Sequence, residues 1–492
     1  MALNPNFKEP TASGLLPVWL LCIGLVLIAA WRFDIASNLP LSVDEAYYVA
    51  WSKSPDWGYW TKPPLIAWAI GGARMVCGES IACIRSTALI GFPLTSLVLG
   101  VLAWRMGESL KSACLVAFLF VTIPLSSFYG IAATTDTFLL LMWSTAMLCL
   151  WLALQGRFWA WPMLGLAFGL GMLAKYTMVV FGISALLILL HPQWRSHWKT
   201  WGPYLALLVA VVVFSPNVVW NLTHQMPTFQ HTANITHGAK SFGLYWDSLA
   251  SFLAQQVLIG NPFLVFFFLL AAFRYAKSAP SAQTWFSLSA AVPILWVICG
   301  QALMTRAYAN WAAPAYLGVC LLAVSHMSAS SRKIWLSLAV GFNLLFAVVL
   351  YHYQALVATP FHLHGTAASD PFWALRNWPK INEQVAQELA GNLPRPAWRI
   401  ASEDRAVLAQ TQMSLVLRPG QVLGWQRDPA PENHFEQHFP LKSDTTETVL
   451  LVTKASRDDV LQAFPKATWI REIRADQMPA DALVFQLWWL NP

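Results

Sequence analysis

The sequence predicts an α-helical protein that crosses a membrane many times and carries a small α/β domain at its C-terminal end. Three observations lead there. Of 492 residues, 57% are hydrophobic and 11% charged, with 27 Trp and 28 Phe, more apolar surface than soluble domains can bury. The apolar runs are about 17 to 22 residues long with no short alternating segments, which indicates helices and argues against a barrel. After Tyr353 the composition turns toward Pro, Asp, Glu, Gln and Arg, as in an ordinary soluble chain.

Taken in order, the apolar run from Leu15 to Trp31 is too long for a cleaved signal core and reads as a retained first span. A polar and aromatic loop follows. The stretch Leu65 to Val76, interrupted by Gly71, Gly72 and Arg74, is too short to cross and is placed in the interface. Further spans are expected near 86–104, 112–128, 137–154, 158–174, 177–191, 202–220, 252–273, 284–303, 309–326 and 334–353, about eleven in all. Arg105, Lys111, Arg157, Arg195, Lys199, Arg274, Lys277, Arg332 and Lys333 then fall on one side, the cytoplasmic one by the positive-inside rule. The acidic first loop, Asp136, Lys175, the loop from Asn221 to Tyr245, Arg306 and the C-terminal region fall on the other.

The division expected is 1–353 for the membrane domain and 354–492 for a periplasmic α/β domain. In the latter, Ile381, Val385 and Leu389 mark a helix beginning near Pro379. Val449-Leu450-Leu451-Val452 reads as a strand, Arg457 to Phe464 as a charged helix, and Val484 to Leu490 as a closing strand. The net charge of +7 follows from loop topology and calls for no nucleic acid partner. The seven cysteines fall mostly inside apolar runs and imply no disulfide framework; Cys77 and Cys83 are close enough to bridge, but the expectation is that they do not.

The first loop concentrates the chemistry: Asp44-Glu45-Ala46-Tyr47-Tyr48, then Trp57-Gly58-Tyr59-Trp60-Thr61-Lys62-Pro63-Pro64-Leu65. An acidic pair in a loop is unremarkable alone. Here Lys62, Asp136, Lys175 and Arg306 each stand at the outer end of a different apolar segment, which suggests a shared cavity. Each also has a plain reading: Lys175 and Arg306 as snorkelling cations, Lys62 as an interfacial anchor, and Asp136 as a helix cap. As a pair of cations, Lys62 and Arg306 suit a phosphate, each contributing roughly 4 kcal/mol at 4 Å and an effective dielectric of 20, before desolvation. Tyr47, Tyr48, Trp51, Trp57, Tyr59 and Trp60 offer a surface for a sugar or prenyl chain, or else an interfacial aromatic belt. His224, His231 and His237 do not match a metal-ligand spacing.

Together these residues resemble the polyprenyl-phosphate-dependent glycosyltransferases of the GT-C fold, in the branch of the protein O-mannosyltransferases and aminoarabinose transferases. The resemblance rests on Asp44-Glu45-x-Tyr47-Tyr48, Lys62-Pro63-Pro64-Leu65, Thr135-Asp136, Leu173-Ala174-Lys175-Tyr176-Thr177, Trp220-Asn221-x-x-His224 and Asn310-Trp311-x-Ala313-Pro314-Ala315-Tyr316, which cover residues 1 to about 350 in family order. It implies that Asp44 activates the acceptor nucleophile, with Glu45 an orienting neighbour and Asp136 a second acid. It implies that Lys62 and Arg306 hold the donor phosphate, while Tyr47, Tyr48, Tyr59, Lys175, Trp220 and His224 line the substrate cavity.

The reaction so implied is an inverting transfer from a polyprenyl-phosphate-linked sugar to a lipid or glycan acceptor on the periplasmic face of a bacterial inner membrane. Lipid A or lipopolysaccharide core, receiving aminoarabinose, galacturonic acid or a similar sugar, is the first expectation; a protein or another envelope glycan is the alternative. No cofactor and no metal site are expected, and a divalent-cation requirement is left open. A transporter is the reading of a different class, but transporters place ionisable groups near the midplane on broken helices in repeated halves. Here they gather at one face, without a repeat.

Overall fold

The structure is a computed structural model and describes residues 12–231, 243–275, 281–328, 333–361, 370–391, 398–442, 447–475 and 483–490. Lys277, Arg332 and His237 lie outside the described residues.

The described chain holds six helices long and apolar enough to cross a membrane: Leu16–Asn38, Ile81–Arg105, Thr135–Leu154, Trp201–Thr223, Ala282–Met304 and Lys333–Tyr351. Counting the bent pair Trp246–Ile259 and Pro262–Tyr275 as one span gives seven, which corrects the expectation of about eleven. The difference lies at chain breaks at Pro124 and Asn261 that a hydropathy window reads through, and in helices, such as the two that flank Lys175, that are shorter than the apolar runs suggest. Pro124 separates Leu110–Thr122 from Pro124–Tyr129. Lys175, in an extended conformation, ends Ala160–Ala174 before the turn leading into Val179–Leu189. Asn261, with a left-handed φ of 72°, lies where Trp246–Ile259 and Pro262–Tyr275 meet at 108°. Leu110–Thr122, Ala160–Ala174 and Val179–Leu189, with Ala315–Met327 and the interfacial candidate Leu65–Cys77, fall among helices of 10 to 17 residues, and Pro124–Tyr129 has only 6.

Thr135–Leu154 lies at the centre, packed against Ile81–Arg105 and Ala160–Ala174, with Trp143 fully buried. The basic chain ends gather at one end of the bundle. There Trp151 meets Trp194 and Phe286 edge to face, its indole donates to the Arg105 carbonyl at 3.0 Å, and Ser112 reaches Ser328 at 3.4 Å. The opposite end carries the first loop and the C-terminal domain.

That domain is a five-stranded mixed sheet, β1 (Trp398–Ser402), β2 (Val422–Gly424), β3 (Thr448–Thr453), β4 (Thr468–Arg474) and β5 (Val484–Leu490), in the order β2-β1-β3-β5-β4. β1 is parallel to β2 and β3, whereas β5 runs antiparallel to β3 and β4. The unbroken Val449-Leu450-Leu451-Val452 run suits a central strand covered on both faces, and all four residues are fully buried. The helix expected near Pro379 begins earlier, at Trp373, with Pro379 inside it, and it does bury Ile381, Val385 and Leu389.

The two parts are stitched together at the first loop. Helix Arg405–Ser414 packs on helix Val43–Ser52. Gln410 donates to the Leu41 carbonyl at 3.0 Å, Lys53 donates to the Leu417 carbonyl at 3.2 Å, and the His434 backbone N–H donates to the Tyr47 hydroxyl at 2.8 Å. Cys77 and Cys83 are bridged, contrary to expectation, with their Cα atoms 5.7 Å apart. The bridge joins the end of Leu65–Cys77 to the first turn of Ile81–Arg105, a proximity that six residues of separation allow but do not dictate.

Candidate active site

Ser42 caps the helix Val43–Ser52 by accepting from the Glu45 N–H, and Glu45 answers by accepting from the Ser42 N–H at 2.9 Å, a complete capping box. The helix start thus sets Asp44 and Glu45 in its first turn, where carboxylates are also favoured by the helix dipole. Their environments then diverge. Glu45 is buried, takes two bonds from Arg85 at 2.7 and 2.8 Å, and accepts the Ala133 N–H at 2.9 Å. Arg85 in turn donates to the carbonyls of Ala36, Leu39 and Pro40. Glu45 therefore works as a clamp between the first loop and the turn before Asp136, and its oxygens are occupied. Asp44 is open, its side chain 61% exposed, with one long contact of 3.4 Å to Arg405.

Asp136 does not act as an N-cap. It sits in the first turn of Thr135–Leu154, buried, with Lys175 Nζ at 2.8 Å on one oxygen and the Asn310 amide at 2.7 Å on the other. The extended backbone at Lys175 is what turns its side chain back toward that helix end. Burial with a hydrogen-bonded partner corrects the snorkelling alternative for Lys175.

Lys62 is presented by a loop held from two sides. Tyr59 stacks on Trp51 at 4.7 Å with planes 5° apart, and its carbonyl accepts from Thr228. On the other side Asn217 donates to the Trp57 carbonyl at 2.7 Å, while Tyr176, Asn217 and Asn221 bond one another. Trp220 lies against Gly58 so closely that a Cβ there would come within 2.3 Å of the indole. Pro64 then occupies the cap position of Leu65–Cys77. Burial, and secondarily the charge of Lys175, push the Lys62 ammonium down to about 8.

These groups meet in a cavity of about 580 Å³ whose lining includes Asp44, Glu45, Tyr48, Lys62, Arg85, Asp136, Lys175, Asn310 and Arg405. The described lining carries four Lys or Arg side chains against three carboxylates. A smaller, more apolar cavity of about 220 Å³ shares Thr61, Lys62, Lys175, His231 and Trp311 with it, and extends along Val297, Ile298 and Gln301 of helix Ala282–Met304. Lys62, Lys175 and His231 thus stand at the junction. Burial and the Lys62 charge hold His231 down at about 4, so it is neutral near pH 7.

Of the residues expected at the site, Asp44, Glu45, Tyr48, Lys62, Asp136 and Lys175 come together here. Five do not line either cavity. Arg306 is exposed and its guanidinium lies 4.6 Å over the Tyr308 ring, which itself lines the larger cavity. Tyr47 and Tyr59 are buried beneath the loop, Trp220 packs on Gly58, and His224 stacks on Trp220 at 4.4 Å and bonds its carbonyl. Their motifs are those of a scaffold: they fix the loop that carries Asp44 and Lys62. Arg85, Asn310, His231 and Arg405 were not singled out as site residues. Asn310 stood within a quoted motif, but the other three gain meaning only when distant segments meet.

Comparison with known proteins gives a consistent picture. Residues 61–220 match the sequence profile of the dolichyl-phosphate-mannose-protein mannosyltransferase family. The lipid A galacturonosyltransferase RgtD of Rhizobium johnstonii is 28% identical over 450 residues, 89% of this chain and 90% of its own. An undecaprenyl phosphate-alpha-4-amino-4-deoxy-L-arabinose arabinosyl transferase of Sodalis glossinidius is 25% identical over 235 residues, 44% of this chain and 41% of its own. The crystal structure of ArnT from Cupriavidus metallidurans bound to undecaprenyl phosphate superposes with a TM-score of 0.64 at 14% identity, across 97% of this chain and 98% of that one, a likeness of fold.

Proposed function

We propose that this chain, a GT-C fold membrane protein of the aminoarabinose-transferase-like, polyprenyl-phosphate-dependent kind, moves a sugar from a polyprenyl phosphate to lipid A or a related lipopolysaccharide acceptor. The observation that carries the reading is the convergence of an open carboxylate, Asp44, with the Lys62 ammonium in one cavity at one end of the helix bundle. Lys62 lines both cavities, and among the described residues its Nζ has no hydrogen-bond or ion-pair partner. Relatives named for galacturonosyl transfer to lipid A and for arabinosyl transfer from undecaprenyl phosphate support the same substrate classes.

In this mechanism the prenyl chain lies along the apolar cavity beside helix Ala282–Met304, with its phosphate at Lys62. The sugar projects into the larger cavity. An acceptor hydroxyl attacks the anomeric carbon from the side opposite the phosphate, giving its proton to Asp44 as the new C–O bond forms. The bond from the anomeric carbon to the phosphate oxygen breaks, and the polyprenyl phosphate leaves with the electron pair, inverting the centre. General-base help of this kind contributes about 10² to 10⁴ in rate. Asp136 has both oxygens engaged, so it orients Lys175 and Asn310 rather than taking the proton.

The site and the C-terminal domain are assigned to the periplasmic face of a bacterial inner membrane. The basic ends Arg105, Lys111, Arg157, Arg195 and Lys199 favour that orientation, and the Cys77–Cys83 bridge beside the first loop suits an oxidising compartment. The test is transfer in vitro. Full-length protein in lipid nanodiscs, given lipid A and a polyprenyl-phosphate sugar, is expected to yield glycosylated lipid A with inverted anomeric configuration and free polyprenyl phosphate. Retained configuration, or sugar release without an acceptor adduct, would overturn the mechanism.

A further inference from the structure

Beyond the base and the phosphate-holding lysine, the cavity contains a guanidinium supplied by the C-terminal domain. Arg405 opens the helix Arg405–Ser414, capped by Asp404, whose carboxylate accepts the Ala406 N–H at 2.8 Å and meets Lys454 Nζ at 2.8 Å. Asp404 is therefore committed elsewhere. The Arg405 guanidinium lies 5.1 Å from the centre of the Tyr47 ring, a platform buried under the domain and fixed by the bond from His434. Toward the cavity it reaches Asp44 at 3.4 Å, with 39% of its own side chain exposed. A long contact between two open side chains is weak and readily exchanged. Arg85 is the contrast: fully buried and bound to Glu45 and three carbonyls, it has nothing left to offer.

We propose that Arg405 binds an anionic group of the substrate, a carboxylate on the transferred sugar or a phosphate on the acceptor, next to Asp44, and so selects acidic substrates over neutral or cationic ones. The inference rests on the transferase reading and deepens it. The charges at the site leave this role open: Glu45 holds Arg85, Asp136 holds Lys175, and Lys62 takes the leaving phosphate. Among the described residues Arg405 meets a carboxylate only through the long 3.4 Å contact to Asp44, and its planar fork matches a carboxylate or phosphate with two parallel bonds. A sugar carrying an ammonium group would instead be repelled by Arg405.

The test uses full-length wild type, Arg405→Ala and Arg405→Lys in nanodiscs. Donors are polyprenyl-phosphate galacturonate and polyprenyl-phosphate galactose, and acceptors are lipid A with and without its phosphates. Arg405→Ala is expected to raise KM for the acid-bearing substrate by about 10- to 100-fold, with kcat and the neutral counterpart little changed, and Arg405→Lys to recover part of the loss. Selectivity lost with the donor assigns the anion to the sugar; selectivity lost with the acceptor assigns it to the lipid phosphate. Equal losses across all four combinations, with an unchanged melting temperature, would overturn the proposal and leave Arg405 as a tie between domains. Equilibrium binding of each substrate alone reads the same preference without turnover. Selective binding that depends on Arg405, in a protein that transfers nothing, would keep the anion site and discard the transferase. Transfer without any Arg405-dependent selectivity would do the reverse.

Discussion

Asp44 and Asp136 are the same residue type at the starts of two helices, and their neighbours give them different work. Asp136 has a cation and an amide on its two oxygens, whereas Asp44 faces the cavity with one weak contact. Asp44→Asn is therefore expected to cut kcat by about 10² to 10⁴ while the apparent melting temperature holds. Asp136→Asn is expected to lower both activity and thermal stability, because it leaves the buried Lys175 without its carboxylate. Lys62 adds a pH signature. Its ammonium is held down near 8, so the charged fraction falls as pH rises through that value and donor-phosphate binding weakens on the alkaline side. In the free enzyme kcat/KM is expected to decline above pH about 8, and Lys62→Arg, which stays charged, to remove that decline. A profile flat to pH 10 in wild type would detach Lys62 from the phosphate.

Between these residues and the fold stand the clamps that position them. The Glu45–Arg85 pair ties the first loop to the turn before Asp136, and removing one member of such a buried pair costs about 3 to 5 kcal/mol. Arg85→Met is expected to show that loss as a lowered melting temperature and weaker docking of the Val43–Ser52 helix, measurable by limited proteolysis. Gly58→Ala pushes a methyl into Trp220 and is expected to cost about 1 to 3 kcal/mol by overpacking, with KM for the donor rising because Lys62 moves with the loop. Much of the cavity was legible in the sequence: Lys62, Asp136 and Lys175 each end an apolar segment, Asp44 stands in the acidic loop beside them, and charge at a membrane boundary is a strong local signal. Less visible was which aromatic residues support the loop and which face substrate, since Tyr47 and Tyr48 are neighbours whose helix positions send one under the C-terminal domain and the other to the cavity. Arg306 illustrates the same limit: the sequence places it at the right level, but its stacking on Tyr308 turns it aside. The span count erred for another reason: hydropathy accumulates across breaks at Pro124 and Asn261 that only backbone geometry exposes, and the helices on either side of Lys175 are shorter than the apolar runs expected there.

At the level of the molecule, the helix bundle and the C-terminal domain share one working surface. The domain does not merely follow the membrane part: Arg405, Pro371, Phe372 and Leu375 line the larger cavity, and helix Arg405–Ser414 packs on the helix that bears Asp44. Such an arrangement calls for all the charged side chains of the site on one face of the membrane. A membrane-impermeant thiol reagent applied to intact spheroplasts is expected to label a cysteine at Trp57, and not one at Lys199, in an otherwise active protein; the reverse pattern would invert the topology. The central claim is sugar transfer to an envelope lipid with Asp44 as base, and mass spectrometry of lipid A and core from cells with the intact gene, a deletion and Asp44→Asn at equal protein level tests it most directly. The account predicts the same single sugar missing from both the deletion and the mutant. An unchanged lipid profile in the deletion, or loss in the deletion with full modification in Asp44→Asn, would contradict it.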